Sequence, residues 1–75
     1  GVFLQIGAFA NADNAENLRS HLSRELDWLN EGIRINAGGG MYRVHLGPYA
    51  NRAEAEKVAE KIRLALGHKP GFVTR

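Results

Sequence analysis

The 75-residue chain predicts an α+β domain of ferredoxin-like βαββαβ order, in which a four-stranded antiparallel sheet carries two helices on one face and leaves the other open. Three observations carry that expectation. Laid on itself forty residues along, LQIGAFANADNAENL (Leu4 to Leu18) falls on VHLGPYANRAEAEKV (Val44 to Val58) without a gap, so Gly7 meets Gly47, Phe9 meets Tyr49 and Asn11 meets Asn51. Each copy alternates as a strand, passes Gly-x-aromatic and then takes up helical spacing. A repeat present twice describes two halves of one compact unit, since a solenoid needs three or more.

The elements follow in order. Val2, Leu4 and Ile6 alternate with Phe3 and Gln5, the period of a strand with one covered face. Asp13 followed by Glu16 has capping-box character, and Ala15, Leu18, Leu22, Leu26 and Leu29 then recur at helical spacing, predicting a first helix that ends between Asn30 and Gly32. Trp28 is expected to seal the end of that helix against the sheet. Ile33 and Ile35 form a second strand, Gly38-Gly39-Gly40 a flexible turn, and Tyr42, Val44 and Leu46 a third strand that Pro48 is expected to halt. Asn51 with Glu54 caps a second helix whose inner stripe is Ala55, Val58, Ala59, Ile62 and Leu66, and Gly67 ends it. Phe72-Val73-Thr74 reads as a short fourth strand. Strands one and three are the antiparallel central pair in this topology, so Gln5 and Arg43 are expected to meet on the open face, with His45 further along and nearer Phe3.

Composition bounds what such a domain does. A chain this small buries roughly 60% of its unfolded surface and has little room for an enclosed cavity, which puts any site on the surface. Ten Lys and Arg against eight Asp and Glu give a formal charge of +2, scattered instead of gathered in a stripe, a poor match to a polyanion binder. The absence of cysteine excludes disulfides and thiolate metal sites. No apolar run approaches the ~20 residues of a membrane span. The chain opens at Gly1 without Met and is expected to be one domain, residues 1–75, of a longer protein.

The chemistry-bearing residues point to binding. Gln5 offers two donors and an acceptor on an outward strand position. Phe3 and Met41, with Phe9 and Phe72, would supply an apolar platform beside that amide and the Arg43 guanidinium, a combination suited to sugar rings bearing N-acetyl groups. Arg43 can take a ligand carboxylate in its fork or pair with an acid of its own chain. His21, His45 and His68 lack metal-ligand spacing, and Gly38-Gly39-Gly40 precedes a strand with no Gly-Lys-Ser/Thr after it, so neither zinc nor a phosphate cradle is expected. Ser20 and Ser23 lie mid-helix outside a Gly-x-Ser-x-Gly elbow, and no nucleophile stands with a base. No catalytic residue and no cofactor is predicted.

At FLQIGAF and YRVHLGPY the chain resembles the SPOR family, bacterial domains of about this length whose first strand carries V-Q-V-G-S-F and whose third carries Y-R-V-x-V-G-P-F. The likeness covers essentially the whole chain. It implies a non-enzymatic, monomeric module that binds peptidoglycan glycan strands stripped of their stem peptides, so bringing an attached protein to the division septum in the periplasm or cell envelope. Carried over by position, it makes Phe3, Gln5, Gly7, Ala8, Phe9, Asn11, Met41, Tyr42, Arg43, His45 and Phe72 the expected glycan-binding residues. Ala8 stands where Ser is common and Met41 where an aromatic often sits. On this reading Gln5 and Arg43 bond N-acetyl groups and a lactyl carboxylate, and neither nucleic acid nor membrane is a partner.

An RNA-binding module of the RRM kind is the main alternative, because it stacks bases on the same open sheet. Its third strand needs a K/R-G-F/Y-G/A-F-V-x-F/Y motif, and GGGMYRVHLGPY lacks it. A protein-interaction domain that dimerises through its sheet is a third possibility.

Overall fold

A computed structural model describes residues 1–25 and 32–74. Its elements are β1 (Val2–Phe9), α1 (Ala12–Glu25), β2 (Ile33–Gly38), β3 (Met41–Tyr49), α2 (Arg52–Leu66) and β4 (Gly71–Thr74). The sheet order β2-β3-β1-β4, with every neighbouring pair antiparallel, is that of the ferredoxin-like fold. Leu26, Trp28 and Leu29, expected to finish the first helix, lie outside the described residues.

The predicted stripes form the core. Ala15 and Leu22 of α1 and Ala55, Ala59 and Ile62 of α2 are fully buried against Leu4, Ile6, Val44, Leu46 and Tyr49, and Leu18, Val58 and Leu66 pack around them. Both helices therefore cover one face of the sheet. The repeat extends to the helix starts. Asn11 Oδ1 accepts the Asp13 N–H at 2.7 Å, and Asn51 Oδ1 accepts the Glu54 N–H at 3.0 Å. The cap of α1 is therefore Asn11 and not Asp13, because Asp13 already lies inside the first turn. At the other end of α2 the Gly67 N–H closes on the Arg63 carbonyl at 2.8 Å.

Two bulges shape the central pair. Gln5 pairs with His45 and Gly7 with Val44, so Ile6 is an extra residue on β1; Leu4 pairs with Leu46 and Val2 with Tyr49, so β3 holds an extra residue within Gly47-Pro48. Each lies at or beside the glycine of Gly-x-aromatic, Gly7 in the first copy of the repeat and Gly47 in the second. Pro48 does not end β3, as its sequence position suggests, because it sits in this irregularity, where proline is tolerated. Gly47 takes φ +128, and a Cβ there would come within 3.0 Å of the Val2 carbonyl oxygen and 3.1 Å of the Phe3 ring. The β2–β3 hairpin turns through Gly39 and Gly40 at φ 59 and 77, the left-handed geometry of a two-residue turn. On the far side β4 pairs with Val2 to Gln5 of β1, Thr74 lying opposite Val2.

Candidate functional site

The open face is built from the residues that alternate against the core. Val44 and Leu46 face the helices, which leaves Arg43 and His45 on the other side of β3; Ile33 and Ile35 do the same for Arg34 and Asn36 on β2. Counting back from the hairpin turn pairs Asn36 with Arg43 and Arg34 with His45. On β1, Phe3 and Gln5 lie on this face, and the register sets Gln5 beside His45.

These residues join into a polar line across three strands. His45 Nε2 lies 3.0 Å from Gln5 Oε1, and His45 Nδ1 lies 2.8 Å from Asn36 Nδ2. The imidazole is only 3% exposed, enclosed by this pairing and by Phe3, whose ring centroid is 6.3 Å from its own. A buried imidazole with both nitrogens engaged is an ordered element of the face and not a mobile surface group. Phe3, Arg34, Asn36 and His45 line a shallow depression of about 100 Å³, below the range of pockets that enclose a small molecule, so a ligand would lie along the sheet.

The bulge in β1 changes which predicted residues share this face. Straight alternation would turn Gly7 and Phe9 outward with Phe3 and Gln5. The extra residue reverses the parity beyond Ile6: Gly7 pairs with Val44 and Phe9 with Tyr42 on the helix side, and Ala8 becomes the exposed residue opposite Arg43. Phe9 and Tyr42 accordingly pack against the core. A Cβ on Gly7 would be a tight fit, 3.0 Å from the Leu18 side chain and 3.0 Å from the Phe9 ring. Gln5 meets His45 and not Arg43, for the same reason of register.

Other expected residues also fall elsewhere. Phe72 pairs with Leu4, packs against the core and carries the Arg52 guanidinium 4.2 Å from its ring centroid, so Val73, opposite Phe3, is the β4 residue of the open face. Asn11 is engaged in the α1 cap. Met41 stays half-buried at the start of β3, and Arg43 donates from Nη1 to the Gly38 carbonyl at 3.3 Å. Asn36 and Arg34 were not among the sequence candidates. The hairpin arithmetic was the signal that points to them, because residues paired across Gly39-Gly40 sum to a constant and Asn36 and Arg34 thereby face Arg43 and His45.

The SPOR domain family model matches residues 1–75. The chain belongs to the SPOR family. This SPOR domain is 34% identical over 76 residues to the endolytic peptidoglycan transglycosylase RlpA in two strains of Pseudomonas aeruginosa, a match covering 97% of the chain and 22% of the relatives. It therefore spans about a fifth of their length. The crystal structure of the RlpA SPOR domain from Pseudomonas aeruginosa matches with a TM-score of 0.80 at 33% identity, covering all of both chains. That agreement carries the FLQIGAF and YRVHLGPY motifs onto the paired central strands of a known SPOR fold.

Acids in this SPOR domain are confined to one side among the described residues. The acids of the described residues lie on α1 and α2, where Glu16 pairs with Arg19 and Glu60 with Arg63, and Glu56 pairs with Lys69 beyond α2. The hydrogen bonds from those arginines hold the Glu16 and Glu60 carboxyls below the ordinary glutamate value. Arg34 and Arg43 belong to the open face, where the described residues include no carboxylate. The face therefore offers amide hydrogen bonding, one aromatic ring and two guanidinium groups.

Proposed function

We propose that this domain binds peptidoglycan along its open sheet face, recognising glycan strands from which the stem peptides have been removed, and that it so directs a longer parent protein to the division septum in the periplasm. The observation that carries the reading is the line Gln5–His45–Asn36 beside Phe3 and two arginines. An amide next to an aromatic face suits an N-acetylated sugar, whose acetamido group needs donors and acceptors while its ring needs apolar contact. Removing a stem peptide exposes a lactyl carboxylate, and Arg34 and Arg43 are suited to an anion of that kind. The shallow relief favours an extended strand without side branches. Family membership and the RlpA relatives support peptidoglycan as the polymer. The domain acts as a monomer and performs no catalysis; any transglycosylase chemistry of a parent protein lies in residues outside this chain.

The direct test is sedimentation of the purified domain with intact and with amidase-treated sacculi. Preferential retention on the treated sacculi is the expected result, and equal absence from both pellets would refute the proposal. The RNA-binding alternative predicts instead a steeply salt-dependent affinity for single-stranded RNA. Met41, Arg43 and His45 occupy the β3 positions where base-stacking aromatics would be needed, which favours the glycan.

A further inference from the structure

The amide groups on either side of His45 point to one protonation state. Gln5 Oε1 has only lone pairs to offer, so the ring nitrogen 3.0 Å away must carry hydrogen; Asn36 Nδ2 has only hydrogens, so the ring nitrogen 2.8 Å away must be bare. Both conditions hold for one species, the neutral Nε2–H tautomer. The imidazolium would aim a second N–H at the Asn36 amide hydrogens. Among the described residues facing the ring, β1 contributes Phe3 and Gln5, which do not titrate, while β2 contributes Arg34 and β3 adds Arg43 two residues away. Their positive charges oppose another on the same face.

A defined tautomer also orients the two amides. With Oε1 held by His45, Gln5 keeps its NH2 group for a ligand; with Nδ2 held, Asn36 keeps its carbonyl. The face is thereby polarised, donor on β1 and acceptor on β2. We propose that His45 is a positioning residue that locks this polarity, that the ligand presents acceptors over β1 and donors over β2, and that protonation of His45 scrambles the order and releases it. Neutral acetamido groups meet that requirement. The inference rests on the open face being the binding site.

The tautomer is testable without a ligand. Long-range ¹H–¹⁵N spectra of the imidazole groups in the whole chain, with His45 assigned by its loss in His45→Gln, should show the Nε2–H tautomer at neutral pH. An Nδ1–H tautomer or an imidazolium there would overturn the proposal, whatever the domain binds. Retention on amidase-treated sacculi should then fall roughly tenfold over the pH interval in which the His45 signals report protonation. His45→Gln, which cannot titrate, should have a flat profile between about pH 8 and 5. Asn36→Asp replaces a donor by an acceptor and should stabilise the imidazolium, shifting the acid behaviour to higher pH. Unchanged retention while wild-type His45 titrates would also overturn the proposal. If neither form of sacculus is bound at any pH, the functional reading fails, and the spectra still decide the polarity. Should His45→Gln not fold, assignment through Gln5→Glu, which keeps the acceptor oxygen, serves instead.

Discussion

At the scale of single residues, the face depends on side chains whose neighbours fix what they can do. Gln5 was legible as an outward amide from alternation alone, whereas its partner was not, because the register of two strands forty residues apart is set by packing and by a bulge instead of a turn. If Gln5 and Arg43 bind glycan, the double substitution Gln5→Ala with Arg43→Ala should reduce retention on amidase-treated sacculi about tenfold or more, each lost hydrogen bond being worth ~1 kcal/mol and those to charged groups more. Retention equal to wild type would remove both from the site. Gly47 makes a separate prediction about folding. Gly47→Ala meets both a left-handed φ and the Val2 carbonyl, so it should destabilise by about 1–3 kcal/mol in denaturant titration.

At the scale of elements, the helices were the most readable part of the sequence because their stripes and caps are local. The twofold repeat even identifies the cap that a search for Ser, Thr or Asp before Glu misassigns, since Asn11 stands where Asn51 stands. Replacing either asparagine by alanine should cost ~1 kcal/mol in thermal or chemical denaturation, and the two losses should be similar. The exposed ion pairs make a smaller, pH-dependent contribution. Because the folded Glu16 and Glu60 carboxyls titrate below their ordinary value, their contribution is present above the unfolded glutamate pKa of ~4.3 and is lost as pH falls through the lower folded value. A Glu16→Gln, Glu60→Gln variant should thus melt slightly below wild type at pH 7 and together with it in strong acid. Strands were less readable. Gly7 and Gly47 each follow an apolar residue in Gly-x-aromatic, and a glycine inside a strand is the available warning of a bulge; without it, Phe9 reads as outward and Phe72 as its companion.

At the scale of the whole molecule, the two copies of the repeat supply the two central strands and the two helices, so the same pattern builds the core twice. The open face breaks that symmetry. The position equivalent to Gln5 is His45, and the amide and the imidazole face each other across the pseudo-equivalent strands at hydrogen-bonding distance. One fold-wide consequence is that the acids of the described residues stay on the helices, where arginines offset them, while Arg34 and Arg43 stand on the sheet without a carboxylate beside them.

The pairing of Val2 with Thr74 bears on how such a module is carried. Antiparallel partners lie about 5 Å apart, so the start of β1 and the finish of β4 lie side by side at one end of the strands. A pendant hung from two cords at a single point can turn to meet a surface without pulling its attachments apart. The same closeness makes the chain a ready candidate for head-to-tail cyclisation: a short glycine-rich joint between residues 75 and 1 should leave the fold intact and raise Tm by several degrees, because it removes disorder from the unfolded chain while asking little of the folded one.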